Sequence, residues 1–239
     1  MNQQHKRLFE EVLGIAGGDL ERFGLTQKTK RTTKVLGQGA NGVVYTMPND
    51  LVLKVTKDES EAALGTRLVH EEDPVQGLPE VYYCAHGPMK PGELQKSRDE
   101  RDLWFALVLE RSVPRDSLTR EQTGSLRRVI EVVLGQRHEF TLESPMEKRW
   151  LDDIVAAGKY IYCPEDPEDR ENILYVLGES HDVHADNVGL LRRNGTLMAA
   201  IIDIGQGVEL YGDDDYLYTT GSCDGMEWTY EVPLAGSGA

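Results

Sequence analysis

Three oxygen-bearing side chains, Asp182, Asn187 and Asp203, are spaced so that one short hairpin would gather them. From residue 180 the chain reads Ser-His-Asp-Val-His-Ala-Asp-Asn, then an apolar run, then Arg192-Arg193-Asn194-Gly195. A second apolar run follows, closed by Asp203-Ile204-Gly205. Asn-Gly accepts positive φ at both positions and favours a tight turn. The pattern predicts antiparallel strands over 188–191 and 197–202, with Asp182, Asn187 and Asp203 at one end. Such oxygens suit a hard cation such as Mg2+. Asp182, five residues before Asn187, suits a different task, the base or orienting group for an attacking hydroxyl.

The elements that would face this hairpin lie upstream. Val35-Leu36-Gly37-Gln38-Gly39-Ala40-Asn41-Gly42-Val43-Val44-Tyr45 places strand-forming residues on both sides of a glycine turn. A dinucleotide site would put a helix after the glycines; here a strand follows. Glycines without side chains let backbone N–H groups approach phosphate oxygens. Lys54 stands alone in the apolar strand 51–55. A helix is predicted from Asp58, carrying Ala62, Ala63, Leu64 and Leu68. Glu61 shares the side of Leu64 and Leu68, the side of the helix that would face the strand of Lys54. Three residues after an N-cap aspartate, it would equally complete a capping box. Glu71 and Glu72 follow near the helix end. Segments 77–84 and 103–109 read as two more strands, the second ending at Glu110-Arg111-Ser112.

His181-Asp182-Val183-His184-Ala185-Asp186-Asn187 resembles the catalytic loop of the protein-kinase-like superfamily. A histidine two residues after the aspartate is most similar to the aminoglycoside phosphotransferase and choline kinase branch. Asp203-Ile204-Gly205 resembles its metal-binding Asp-Phe-Gly, with Ile204 in place of Phe. The resemblance spans residues 35–205. It implies an α+β, bilobal protein-kinase-like fold: a five-stranded antiparallel N-lobe sheet plus one helix, then a mostly helical, reduced C-lobe. Residues 1–34 would be a helical extension and linker, 35–110 the N-lobe and 111–239 the C-lobe. ATP and Mg2+ are the implied cofactors. Gly37, Gly39, Asn41 and Gly42 would cover the phosphates, Lys54 would hold them, and Glu61 would hold Lys54, with Glu71 and Glu72 as further candidates. Backbone groups of Glu110 and Ser112 would bind adenine, with no role for their side chains. Asn187 and Asp203 would ligate the metal, and Asp182 would act as base. His184 would support the loop or contact a phosphate. The acceptor would be a hydroxyl of a small molecule or a specialised protein target. Two rival readings use the same residues: a pseudokinase acting through protein contacts, and an enzyme transferring AMP.

The remaining sequence frames these expectations. Hydrophobic residues make up 39%, charged residues 28%, and the net charge is −15. That acidity argues against a nucleic-acid partner. No apolar run is long enough for a membrane span, and the polar start carries no signal-peptide pattern. Three scattered cysteines fit a reducing cytoplasm. Residues 1–23 are predicted helical, with Gly17-Gly18 as a stop or break. Helices are predicted over 117–134, from Ser144-Pro145 to Gly158, and from Asp166-Pro167 to Gly178. After Gly205 the chain is short for a kinase; residues 212–216 and 221–226 read as turns and loop, and 234–239 as a flexible end. Dimerisation is one way such a short C-terminal part could be completed.

Overall fold

In the computed structural model, the described residues are 3–26, 28–39, 41–88, 103–162, 169–179, 183, 185–203, 211–212, 217–223 and 226–235. The chain opens with α1 (Gln3–Glu21). Leu8, Val12, Ala16 and Leu20 recur at helical spacing and are buried. The break expected at Gly17-Gly18 does not occur. Each glycine costs a helix interior about 1 kcal/mol, and the burial of Ala16 and Leu20 on either side outweighs it. The helix closes at Gly24 instead, where φ is +84° and the N–H reaches Glu21 O at 2.9 Å.

Five strands then form one antiparallel sheet in the order β1-β2-β3-β5-β4. They are β1 (Val35–Gln38), β2 (Gly42–Thr46), β3 (Leu51–Thr56), β4 (Val81–Pro88) and β5 (Leu103–Glu110). Between β3 and β4 lies α2 (Glu59–Val69), capped by Asp58. The expected fourth strand starts later than predicted. Gly77 to Glu80 are diverted: Gly77 takes φ +75° and its carbonyl accepts from Ile201 N–H, while Leu78 is fully buried. The two faces of the sheet divide by alternation. Leu53 and Val55 join Val43, Tyr45, Tyr83, Ala85, Trp104, Ala106 and Val108 under α1. Val52, Cys84, Leu107 and Leu109 face α2 and the rest of the chain.

The second half contains α3 (Arg120–Val133), α4 (Pro145–Tyr162) and α5 (Arg170–Glu179). A capping box of Thr119 and Gln122 starts α3, which runs through Gly124. Ser144 Oγ accepts Met146 N–H at 3.2 Å at the start of α4. Gly158 does not end α4. It is the point where α5 comes close, since a Cβ there would lie 2.9 Å from Leu177 and 3.0 Å from Ile173. Asp169 caps α5; the other predicted start residues, 166–168, lie outside the described ones. The hairpin of β6 (Val188–Arg193) and β7 (Thr196–Ile201) forms as expected, with Asn194 at φ 50° and Gly195 at φ 77°.

The last part departs from expectation. β8 (Tyr211–Gly212), β9 (Leu217–Cys223) and β10 (Met226–Val232) form an antiparallel sheet in the order β10-β9-β8, and Gly221 to Cys223 and Met226, expected in a loop, lie in its strands. Cys223 pairs with Met226; as sequence, the intervening Asp-Gly is a turn signal of the same kind as Asn194-Gly195. Leu217, Thr219 and Val232 are buried. The chain then runs beside β4: His86 N–H reaches Pro233 O at 3.0 Å and Ala235 N–H reaches His86 O at 2.8 Å. Leu234 and Ala235 are therefore pinned rather than loose. Residues 236–239, the rest of the predicted flexible end, lie outside the described residues. No helix among the described residues is long and apolar enough to cross a membrane.

Candidate functional site

Lys54 sits in the middle of β3, opposite Val44 on one neighbour and Leu107 on the other. This position takes it out of water: its side chain is only 10% exposed. Two carboxylates meet it. Lys54 Nζ donates to Glu61 Oε1 at 2.5 Å and to Asp203 Oδ1 at 2.6 Å. Asp58 Oδ1 alone caps α2, taking Ser60 N–H at 3.0 Å and Glu61 N–H at 3.3 Å. The Glu61 side chain is therefore free to turn toward the lysine. Glu71 instead accepts from the Tyr160 hydroxyl at 2.6 Å.

Burial alone would favour a neutral Lys54, but the charges of Glu61 and Asp203 outweigh it and raise its pKa. Glu61 is raised to about 8, first by burial and then by Asp203, against the pull of Lys54. Glu61 Oε2 is buried without a hydrogen-bond partner among the described residues. One cation thus bridges two acids, and burial together with the second acid makes Glu61 the weaker of them. Asp203 is the open member, with its side chain 45% exposed.

The triad opens into a cleft of about 850 Å³, also lined by Leu36, Gly37, Gly39, Asn41, Gly42, Glu110, Ser112 and Asn187. That volume lies within the range of small-molecule sites. The three glycines of the β1–β2 turn differ in their reasons. At Gly42 a Cβ would lie 2.8 Å from Val55 O, so packing excludes a side chain. At Gly37 and Gly39 no atom of the described residues comes within 4 Å of a Cβ, and neither has a positive φ. Among the described residues, nothing in the packing calls for glycine at these two positions. The Gly39 N–H is engaged across the turn by Gly42 O at 2.9 Å. Asn41 Nδ2 donates to Asp58 Oδ2 at 3.3 Å, which ties the glycine turn to the start of α2.

The far wall joins the two halves of the chain. Glu110 N–H bonds Glu80 O at 2.9 Å and Val113 N–H bonds Leu190 O at 2.7 Å, with Ser112 between them. The Glu110 amide donor is therefore engaged within the chain. Its side chain is engaged as well. Arg193 Nε and Nη2 donate to Glu110 Oε2 at 3.0 and 2.6 Å, Nη2 to Leu78 O at 2.7 Å, and Nη1 to Val75 O at 3.3 Å. In the sequence Arg193 was only part of a hydrophilic turn; nothing local marks its remote partners. Asp153, buried in α4, completes the joint by accepting from Gln76 Nε2 at 2.9 Å and Ala199 N–H at 3.0 Å.

At the hairpin end, Ile202 N–H bonds Asn187 O at 2.7 Å, which brings residues 187 and 203 to the same edge of the cleft. Arg115 braces this edge from outside through Asp186 at 3.2 Å and the carbonyl of Ala185. Among the described residues no group of three His, Cys, Asp or Glu side chains is arranged to hold a metal by itself. A nucleotide-borne magnesium needs only one or two protein oxygens, since phosphates and water supply the rest; Asn187 and Asp203 fit that donor set. His181, Asp182 and His184 lie outside the described residues. Of the predicted site, Gly37, Gly39, Asn41, Gly42, Lys54, Glu61, Glu110, Ser112, Asn187 and Asp203 line one cleft. Comparison with known proteins found no protein-family profile that matches the chain and no curated protein that matches it.

Proposed function

We propose that this chain is an ATP- and Mg2+-dependent phosphotransferase of bilobal, kinase-like architecture, moving the γ-phosphate of ATP to a hydroxyl. The observation that carries the reading is Lys54, bridging Glu61 and Asp203 at the mouth of a cleft roofed by glycines for which, among the described residues, the packing does not call. Glu61 holds the lysine at the cleft wall, where its ammonium would meet phosphate oxygens. Gly37 and Gly39 leave the room that a phosphate chain would take. Glu110, Ser112 and Leu36 line the part of the cleft suited to the base. Bound magnesium would neutralise phosphate charge, held by Asn187 and Asp203. Asp182 is the candidate base by its sequence position, with His184 supporting the same loop. Catalysis would rest on positioning and charge neutralisation. The acceptor class is a small molecule or a specialised protein target.

One observation favours a second reading, a nucleotide-binding module without transfer: Asp203 Oδ1 is already engaged by Lys54, so a metal must compete for it. Thermal unfolding of the wild type and of Asp203→Asn, with and without ATP and Mg2+, tests the first reading. A ligand that binds only the folded state raises the midpoint. The expected result is a magnesium-dependent rise that Asp203→Asn loses. No rise at millimolar ATP would sink the enzyme. A rise with no transfer to any hydroxyl, unaffected by Asp182→Asn, would favour the binding module.

A further inference from the structure

The helix that carries Glu61 is gripped at both ends, and only one grip belongs to the cleft. At the N-terminal end of α2 the ties are polar and face the site: Asn41 to Asp58 and Lys54 to Glu61. At the other end, Arg67 is a charged residue only 8% exposed. Among the described residues it makes no ion pair. Its guanidinium lies 3.9 Å from the ring centre of Tyr160 on α4 and 4.6 Å from that of Trp228 on β10. Nη1 donates to Tyr160 O at 3.0 Å. One residue beyond α2, His70 stacks on Tyr230 at 4.3 Å between ring centres. The Trp228 indole N–H is buried without a partner among the described residues.

A desolvated guanidinium between two π faces is held only while all three elements keep register. Arg67 is six residues from Glu61, about 9 Å along the helix. A slip of the α2 end therefore moves Glu61 relative to Lys54, which β3 fixes independently. We propose that the β9–β10 hairpin is a positioning clamp for α2, with Trp228 and Arg67 as its joint, and that it sets how firmly Glu61 engages Lys54. The consequence for ligand binding rests on the phosphotransferase reading; the consequence for α2 does not.

The test uses the full chain with Trp228→Leu, which removes the π face, and Trp228→Phe, which keeps one. MgATP and adenosine serve as probes in calorimetry. Amide exchange over residues 60–66 is followed without ligand. Trp228→Leu should speed exchange in that segment and weaken MgATP, each by about tenfold. Adenosine affinity should stay unchanged, because adenosine has no phosphate for Lys54 to hold. Trp228→Phe should restore both readouts to near wild type. Equal weakening of MgATP and adenosine would reduce the hairpin to general stability and overturn the clamp, as would unchanged exchange in α2. A wild type that binds neither probe defeats the phosphotransferase reading, and the exchange comparison then decides the clamp alone. Should Trp228→Leu fail to fold, Tyr230→Leu removes the His70 stack and is judged by the same outcomes.

Discussion

The two faces of the five-stranded sheet are built from the same strands for opposite purposes. Under α1, β3 contributes Leu53 and Val55 to a dry, continuous core with Tyr45 and Trp104. One residue out of phase, β3 presents Lys54 to two acids and an open cleft. A strand alternates its faces without choice, so a single β-strand can carry stability on one side and a charged site on the other. On the first face any loss of volume costs stability. The second keeps a raised Glu61 and, among the described residues, a buried carboxyl oxygen without a hydrogen bond, which a fold optimised only for stability would not keep.

Substitutions on alternate residues should separate the two roles. Leu53→Ala, on the dry face, is expected to cost about 2–5 kcal/mol of unfolding free energy yet leave the MgATP-dependent rise in midpoint intact. Chemical denaturation with and without nucleotide measures both, and a lost nucleotide response would break the division of faces. Within the glycine turn the contrast is finer. Gly42→Ala should destabilise by about 1–3 kcal/mol, because its Cβ meets backbone. Gly37→Ala should leave stability within about 1 kcal/mol of wild type while weakening MgATP. Equal behaviour of the two variants would remove the case for a phosphate roof.

The smallest effect is in pH. Glu61 binds its proton more tightly folded, at about 8, than at its ordinary 4.5. Between those values the unfolded chain loses this proton while the folded chain keeps it. This group's contribution to stability is complete below pH 4.5, falls as pH rises to about 8, and is flat above. Glu61→Gln should therefore flatten part of the decline in thermal midpoint over that window. An unchanged slope would show that Glu61 is ionised throughout, fully paired with Lys54.

Legibility in the sequence followed the range of the interactions. The β6–β7 hairpin, the caps at Asp58 and Ser144, and the strand bearing Lys54 are written in neighbouring residues, and all are present. Glu61 was one of two uses for a single side chain, separated only once α2 lay on the sheet. Gly17-Gly18 and Gly158 misled because glycine punctuates a helix only when packing does not decide. Asp224-Gly225 was a readable hairpin signal hidden among acids. Arg67 and Arg193 carried no local signal, since their partners lie far along the chain: Tyr160 and Trp228 for one, Glu110 and residues 75–78 for the other.

Arg193 bears on the timing of capture. One guanidinium stitches the end of β5, the crossing segment 75–78 and β6 into a single seam at the back of the cleft. A seam fastened from three sides does not hinge readily. The cleft's width would then be set before any ligand arrives, and association would proceed as one bimolecular event. In stopped flow the observed rate would climb linearly with nucleotide concentration. Loosening Arg193 would introduce a ceiling, the signature of a wall that must first swing shut.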